Sequence, residues 1–487
     1  MTKIVLVSVI LFSSSLSTLR SSLSVTMTII EEETPLIDSS PIKPAPPEPP
    51  NPDEPIFSFL YFGFVGNLCF NFIIQVISYF NFVFGSSFGS MCGIMYGLAN
   101  NLGQILVIIW LKNYSFNSRI IVSCFALGLL LIAIPAITMM EHGFRLYVVF
   151  GLVFLMGFFV AILSSAGFGI AGLCSNKVRT WYTVGTSLAG VLGWPLMLLV
   201  DFILKNWFNV SPESRAEGKP SDVDTWTTLV VLALAAIFTW IVIPLYWLRI
   251  GPSIPSTDSS SSKSIPRRSF WAILGDVFPL AFSGWMIMFV TFMVLPDQIV
   301  SWKTKHPDLY PGGDFGYQNI NIYVFQVFDV LARFTCLMVD IKMPRWMIIG
   351  GSCSRILFIP LFVLSSLRIG YFDNDIFKVC LNAVFAYTYG ILLTLGVVEG
   401  TSQVPSHEAD VAGYIISFML VNGIFCGSWM AIGVNAIPAK YWVWEEWKKE
   451  CALLPPHGIV CINEDGSILS GEGTTTIIPY TASPTTI

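Results

Sequence analysis

Eleven runs of about 20 mostly apolar residues dominate the chain, and they restrict its fold more than any other feature. Each run is long enough to cross the hydrocarbon core of a bilayer as one α-helix. No water is present in that core to bond a free backbone group, so only helices and closed barrels are stable there. The sequence therefore predicts an all-α polytopic membrane protein with about 11 transmembrane helices, at residues 57–80, 87–111, 119–140, 146–173, 181–204, 225–249, 270–295, 318–339, 344–366, 376–398 and 411–437.

The composition fits a chain whose main partner is the lipid bilayer, and it excludes several functions. Of the 487 residues, 54% are hydrophobic and 12% are charged, whereas a soluble domain is about a quarter charged. The net charge of −5 is spread over loops and tails, so no nucleic-acid-binding surface is predicted. There is no P-loop, HExxH or GxSxG motif, and the histidines and cysteines are scattered without a metal-ligand spacing. We therefore expect no enzyme, no metal and no cofactor.

Polar segments divide the chain into two groups of predicted helices. Residues 57–249 contain the first six spans, and residues 270–437 contain the other five. Between these halves, residues 250–269 include a Ser-rich run that is typical of a flexible linker. A polar C-terminal tail occupies residues 438–487.

Residues 1–56 precede the first span and contain two kinds of sequence. Residues 31–56 are acidic and Pro-rich, which is typical of a disordered tail. The apolar run behind Lys3 resembles a signal peptide. An over-extended start is an equally good interpretation, since Met27 can begin the chain.

Basic residues in the short loops predict the orientation of the bundle. If the N-terminal tail is cytoplasmic, the linker 250–269 is also cytoplasmic and the C-terminus lies outside. Most of the inner loops then hold basic residues with little acid, whereas the outer loops hold mixed charge. The inner basic residues are Lys112, Arg119, Lys177, Arg179, Arg267, Arg268, Lys342 and Arg345. The same orientation places the sequon at Asn209 outside, where it is a glycosylation candidate, although Pro212 disfavours its use.

Polar side chains inside the apolar runs mark the region where function is expected. Asp329 and Arg333 lie four residues apart in the stretch FQVFDVLARF, acid first, which is the favourable order for a helical ion pair. A charge at the bilayer centre costs about 2.5–3.5 kcal/mol on insertion scales, and pairing makes both charges tolerable. Such a pair either lines a solute site or only orders the bundle, and we favour the solute site.

Other spans carry weaker signals. Asn71 and Gln75 share a face of span 1, and Asn100 and Gln104 share a face of span 2. Transporters place substrate sites at broken or polar helices, so two residues of span 9 and two of span 4 are candidates for structural or gating roles: Arg355, Pro360, Gly169 and Gly172. Helix packing is the favoured explanation for most of the glycines.

Several motifs resemble those of the equilibrative nucleoside transporter family. In span 8, Phe325, Asp329 and Arg333 match the family pattern F-N-x-x-D-x-x-G-R, with Gln326 and Ala332 replacing its Asn and Gly. Further short matches follow the family's order in spans 1, 4, 5, 9 and 11, at CFNF (69–72), FGIAG (168–172), SLAG (187–190), SRILFIPL (354–361) and DVAG (410–413). The matches occur in the same order along the chain as in the family, and this shared order is what carries the resemblance.

The resemblance implies a major-facilitator-like bundle of six and five helices that moves nucleosides or nucleobases by alternating access. Movement is then either equilibrative or linked to protons. The resemblance and the intramembrane polar pattern together give a predicted substrate site at Asp329, Arg333, Phe70, Asn71, Ser164 and Gln75.

Three departures from the family pattern leave the preferred solute open. Ser164 stands where the family commonly has a base-contacting Gln, Phe70 replaces a Trp, and TYGI (388–391) replaces the family's S-N-G-Y in span 10. Two alternatives therefore remain: a facilitator of another small polar solute, and a relative that does not transport. The plasma membrane is the expected location, while an acidic dileucine-like stretch at Leu36 leaves an internal compartment open.

Overall fold

The computed structural model describes residues 55–84, 88–111, 114–140, 143–207, 222–253, 268–295, 297–310, 314–339 and 341–452. The predicted leader, the acidic tail, the sequon at Asn209, most of the linker and the last part of the C-terminal tail lie outside these ranges.

Eleven helices in the described residues are long and apolar enough to cross a membrane, and the described residues contain no strand. The prediction of an all-α polytopic membrane protein is thus confirmed. We number the helices in chain order: α1 Ile56–Gln75, α2 Phe88–Ile109, α3 Phe116–Thr138, α4 Arg145–Leu173, α5 Asn176–Trp207, α6 Asp222–Leu245, α7 Phe270–Val294, α8 Asp314–Met338, α9 Arg345–Ser366, α10 Asp375–Thr401 and α11 Ala409–Ala452.

Short helical pieces connect or extend several of these helices. They are the helix Ile77–Phe84 after α1, the π-helical turn Tyr246–Ile250 and the helix Gly251–Ser253 after α6, the helix Asp297–Val300, and the 3₁₀ turns Pro307–Leu309, Gly370–Asp373 and Ser406–Glu408.

Helix α9 is not continuous. It consists of Arg345–Ser354 and Phe358–Ser366, joined by the 3₁₀ turn Arg355–Leu357. Pro360 accounts for the break, because a proline ring clashes with the carbonyl group four residues earlier, which here belongs to Ile356. The helix therefore changes its winding in the turn that contains Arg355.

Helix α11 is longer than its apolar run. The run ends near residue 437, but the helix continues to Ala452. The added residues include several good helix formers, such as Ala, Lys and Glu, so the helix outlasts the stretch that is suited to a bilayer. A hydropathy profile alone therefore does not locate the C-terminal end of α11.

Buried apolar side chains form two separate clusters. One is drawn from α1–α6 with the short segments that flank them, and the other from α7–α11 with their connecting segments. Contacts between the two groups are made chiefly by α5 with α8, α4 with α11, α2 with α11, and α5 with α10. The bundle therefore has two cores, and a seam runs between them.

Candidate functional site

A cavity of about 240 Å³ lies in the seam between the two groups of helices. Its wall comes from α1, α2, α4 and α5 on one side and from α7, α8, α10 and α11 on the other. The surface of the wall is mainly apolar and aromatic, and twelve of its thirty lining residues carry polar or charged side chains in addition to three tyrosines. An apolar wall with polar groups that can orient a ligand is typical of a small-molecule site. Such sites typically measure roughly 300–1,000 Å³, so this space suits a compact solute.

Helix α8 brings Asp329 and Arg333 together in this wall. Nε of Arg333 donates to Oδ1 of Asp329 at 2.8 Å, and Nη2 donates to Oδ2 at 3.1 Å. Each residue is 3% exposed. The third nitrogen, Nη1, donates to the carbonyl oxygen of Thr183 at 2.8 Å and to Oγ1 of Thr186 at 3.0 Å, both on α5. The pair therefore balances its own charges and also ties the second group of helices to the first.

A glycine on α10 makes room for this pair. A Cβ atom built on Gly390 would lie 2.6 Å from Cβ of Ala332, 2.7 Å from the carbonyl oxygen of Asp329 and 2.8 Å from its Oδ1. The family motif has Gly where this chain has Ala332. The close approach of α8 and α10 is thus provided here by the glycine on α10.

Arg355 lies behind the wall and does not line the cavity. It is 1% exposed, and its guanidinium donates to the carbonyl oxygen of Phe385 at 2.8 Å, to Oγ1 of Thr388 at 2.6 Å and to Oγ1 of Thr291 at 3.1 Å. Its Cζ atom is also 4.2 Å from the centroid of the Phe385 ring, a favourable cation–π distance. Arg355 therefore fixes the broken turn of α9 against α10 and α7. Pro360, which causes the break, is exposed.

Phe70 of α1 lies in the cavity wall, but one face of its ring is covered. It stacks on Tyr96 of α2 with 4.0 Å between ring centroids and 11° between ring planes. A solute can therefore contact only the opposite face or an edge of Phe70.

Of the other predicted polar contacts, two lie in the wall and one does not. Asn71 lines the cavity, and its Nδ2 donates to the carbonyl oxygen of Asn67 at 2.8 Å. Ser164 also lines the cavity. Gln75 lies outside the lining, where its Nε2 is 3.5 Å from the carbonyl oxygen of Gly190 in a contact between α1 and α5. The structure thus places five of the six predicted substrate-binding residues around one space: Asp329, Arg333, Phe70, Asn71 and Ser164.

The two predicted glycines of α4 lie where the bundle is closed. A Cβ atom on Gly169 would lie 2.5 Å from the Tyr414 ring, and one on Gly172 would lie 2.5 Å from the carbonyl oxygen of Ala409. Both contacts join α4 to the start of α11. Bulkier side chains at either glycine would hold the two groups of helices apart.

Hydrogen bonds reinforce closure at the same end, which the basic loops predict to be cytoplasmic. Nη2 of Arg119 on α3 donates to the hydroxyl of Tyr414 on α11 at 2.9 Å. Nη1 of Arg179 on α5 donates to Oγ of Ser402, just after α10, also at 2.9 Å. This end must separate if a solute is to leave the cavity through it.

An ion cluster fixes the chain where it returns from the linker. Nη2 of Arg268 is 2.7 Å from Oε2 of Glu408, and Nη1 is 2.8 Å from Oδ2 of Asp276. Glu408 also accepts from the backbone N–H of Arg268 at 2.9 Å. The start of α7 is thereby held against the turn that precedes α11.

Sequence reasoning did not assign several wall residues, including Tyr96, Asn100, Thr291, Tyr389 and Ser417. Asn100 carries a signal, because an amide in an apolar run is rare and costly. Thr291 and Ser417 do not, because hydroxyls in helices usually bond their own backbone. The described residues contain no group of three or more His, Cys, Asp and Glu side chains that could hold a metal ion.

Comparison with known proteins supports the resemblance that the motifs indicate. A sequence model of the family described as nucleoside transporter matches residues 252–436, which include the motifs around Asp329 and Arg355. Equilibrative nucleoside transporter 1 of Rattus norvegicus is 25% identical over 317 residues, which cover 58% of this chain and 67% of that protein. Equilibrative nucleotide transporter 1 of Arabidopsis thaliana is 22% identical over 379 residues, covering 74% and 81%. These matches show similarity to the equilibrative nucleoside transporter family at low identity, and they support a divergent relationship to it.

The fold is also similar to that of solved transporter structures. The fucose:proton symporter of E. coli, a transporter of the major facilitator superfamily, superposes with a TM-score of 0.51 at 14% identity, covering 80% of this chain and 98% of that one. The predicted major-facilitator-like architecture is therefore confirmed, and at this identity the likeness concerns the fold alone.

Proposed function

We propose that this chain acts as a divergent equilibrative nucleoside transporter, which moves nucleosides across a membrane by alternating access with the cavity in the seam as the solute site. The observation that carries the proposal is the buried Asp329–Arg333 pair, which lies in the cavity wall and bonds across the seam to α5. Intramembrane charges usually mark solute pathways. A transporter rather than an enzyme is what the fold and the family favour.

The chemistry of the wall suits a nucleoside. An ionised carboxylate has about four lone-pair positions, and Arg333 uses one on each oxygen of Asp329. Asp329 therefore keeps acceptor capacity for ribose hydroxyls. The open face or edge of Phe70 offers an apolar surface for the base, since aromatic rings stack on any base.

The same contacts suggest how the halves move. Nη1 of Arg333 holds Thr183 and Thr186 across the seam, so rocking of the two halves changes these bonds while the Asp329–Arg333 contact stays within α8. We propose that the seam opens alternately at its two ends around this fixed pair, as in other transporters built from two halves.

The proposal is tested by uptake. The chain is expressed in cells that lack nucleoside uptake, and entry of labelled adenosine, inosine, uridine and hypoxanthine is measured. We expect saturable entry of at least one nucleoside, and inhibition by excess unlabelled nucleoside. Absence of uptake of all four, with surface expression confirmed, contradicts the proposal. A panel of sugars and amino acids run alongside tests the alternative of another small polar solute.

We further propose that transport is equilibrative. Asp329 is the one carboxylate among the described residues that line the cavity, and both its oxygens accept N–H groups from Arg333. A carboxylate held in this way is a fixed partner of a guanidinium rather than a proton carrier.

Collapse of a proton gradient should therefore leave uptake unchanged. The measurement is nucleoside uptake into proteoliposomes with an acidic exterior, with and without a protonophore. Net accumulation above the external concentration, lost when the protonophore is added, would show proton coupling instead. We place this activity in the plasma membrane, where uptake of external nucleosides is the direct assay, and surface labelling of the expressed chain checks the location.

A further inference from the structure

The cavity wall has a second polar region on α2, α4 and α11, apart from the helix that carries the Asp329–Arg333 pair. Gln104 of α2 is fully buried there and does not line the cavity. Its Nε2 donates to Oγ of Ser164 at 3.2 Å and to Oγ of Ser417 at 2.9 Å. Both serines line the cavity. One amide behind the wall therefore holds two hydroxyls that belong to different halves of the bundle.

These bonds decide which hydroxyl is left with a proton to donate. Each serine oxygen accepts from Gln104, so each keeps its own O–H. Ser164 donates to the carbonyl oxygen of Ala161 at 3.3 Å. For Ser417, which is 1% exposed, no described residue takes the proton. The hydroxyl of Ser417 is therefore a buried donor in the cavity wall.

Asn100 supplies the complementary acceptor. It lines the cavity, is 4% exposed, and its Oδ1 has no hydrogen-bond partner among the described residues. The neighbouring Asn101 differs, because its Nδ2 donates to the carbonyl oxygen of Gly97 at 2.9 Å and its Oδ1 accepts from Asn422 at 3.2 Å. Asn101 is thus a structural amide with both ends paired, whereas the Asn100 side chain bonds Tyr96 but leaves its Oδ1 without a partner among the described residues. A buried acceptor without a partner costs about 1–3 kcal/mol, and natural proteins keep such groups rarely.

The position of Asn100 relates this region to the aromatic wall. Asn100 lies four residues after Tyr96, so the two side chains share a face of α2. Tyr96 stacks on Phe70. The ring of a solute bound against Phe70 and Tyr96 would therefore lie about one helical turn from Oδ1 of Asn100, which has no partner among the described residues.

We propose that Asn100 and Ser417 bind the hydrogen-bonding edge of a nucleobase, and that Gln104 is a positioning residue that orients the Ser417 hydroxyl. Oδ1 of Asn100 accepts from a ring N–H, and Oγ of Ser417 donates to an adjacent carbonyl oxygen. The edge that fits is a lactam edge, which the bases of inosine, guanosine and uridine carry. This inference rests on the proposed function and adds the part of the site that reads the base.

The first test compares solutes that differ only at that edge. Inosine and purine riboside share the ribose, but purine riboside lacks the lactam N–H and carbonyl. We expect the intact protein to favour inosine in competition uptake, and Asn100→Leu and Ser417→Ala each to reduce that preference roughly ten-fold. Ser165→Ala is the matched control, because Ser165 is buried on α4, outside the cavity lining, and donates to the carbonyl oxygen of Ile162 at 3.0 Å.

A ribose comparison separates this proposal from the proposed function. Dideoxyinosine keeps the lactam edge and the 5′-hydroxyl but lacks the 2′ and 3′ ribose hydroxyls, which are among the groups that Asp329 is proposed to bind. Asn100→Leu should keep the preference for inosine over dideoxyinosine. If the intact protein transports no nucleoside, the proposed function fails. If it transports nucleosides but Asn100→Leu keeps the full preference for inosine over purine riboside, this inference alone fails.

Thermal stability gives a second test of the role of Asn100. A base-binding role and a purely structural role predict opposite changes in the thermal midpoint of Asn100→Leu. Leucine removes the unpaired acceptor at similar volume, so ligand-free Asn100→Leu should have a thermal midpoint equal to or above that of the intact protein. Inosine should no longer raise this midpoint as it does in the intact protein. A lowered midpoint with a retained inosine shift would mean that Asn100 only supports the bundle, and would overturn the proposal.

Gln104 is tested by non-additivity. Gln104→Leu should reduce the inosine preference as Ser417→Ala does, and the double variant should lose no more than either single variant, because both changes remove the same hydroxyl contact. Additive losses would show that Gln104 does not act through Ser417.

Discussion

Asp329→Asn and Arg333→Ala are each expected to abolish measurable nucleoside uptake. Each change leaves the other member of a buried ion pair without its partner, which costs about 3–5 kcal/mol in comparable cases. Arg333→Ala also removes the two bonds that reach Thr183 and Thr186 across the seam. The measurement is labelled uptake per molecule at the membrane, with surface protein quantified for every variant.

A double variant separates a solute contact from a purely structural pair. Asp329→Leu combined with Arg333→Met removes both charges at similar volume, and such replacements of buried pairs are often neutral or stabilising. We expect the double variant to reach the membrane with restored thermal stability but without uptake. Recovery of both stability and uptake would show that the pair only orders the bundle.

Gly390→Ala is expected to have the second largest effect. The added methyl group would meet atoms of Ala332 and Asp329 at 2.6–2.8 Å, and two of these atoms are the backbone oxygen and the carboxylate of Asp329. Overpacking of this kind costs about 1–3 kcal/mol, and it displaces the carboxylate that the proposed site depends on. We expect uptake to fall roughly ten-fold or more and thermal stability to decrease.

The control lies on the same helix. A Cβ atom on Gly396 would have its nearest neighbours at 3.9 Å, which is ordinary contact, and alanine is favoured over glycine in a helix by about 1 kcal/mol. Gly396→Ala should therefore be neutral or stabilising with normal uptake. Equal effects of the two substitutions would contradict the idea that Gly390 is needed for close approach at Asp329.

The parts of the structure that could be predicted from sequence are those that local patterns determine. Long apolar runs predict the eleven helices because the hydrocarbon core admits no other open backbone. The i, i+4 spacing of Asp329 and Arg333 predicts their contact within one helix. Pro360 predicts a disturbed α9 for the same local reason. The contact and the break are both present in the structure.

The parts that could not be predicted depend on which helices are neighbours. Asn71 and Gln75 share a helix face, yet Asn71 lies at the cavity while Gln75 packs on α5. A helical pattern defines a face but not its partner. The covering of Phe70 by Tyr96 and the compensation of Ala332 by Gly390 are likewise contacts between distant segments.

The unpaired Oδ1 atom of Asn100 is another feature that could not be predicted from sequence. Asn100 and Asn101 are adjacent and of the same residue type, and their hydrogen-bond partners distinguish them. Asn101 pairs with Gly97 and with Asn422 of α11, whereas Oδ1 of Asn100 has no partner among the described residues. The second polar region is identified by which polar side chains are buried and which of their atoms have no hydrogen-bond partner. Residue type alone does not identify it.

The most direct test of the central claim is counterflow in proteoliposomes that contain only this protein. Vesicles loaded with unlabelled inosine are diluted into trace labelled inosine, and the label inside is followed over time. We expect a transient accumulation of label with the intact protein, and none with Asp329→Asn at equal protein density. Absence of counterflow with the intact protein, or equal counterflow with Asp329→Asn, would contradict a nucleoside site at the Asp329–Arg333 pair.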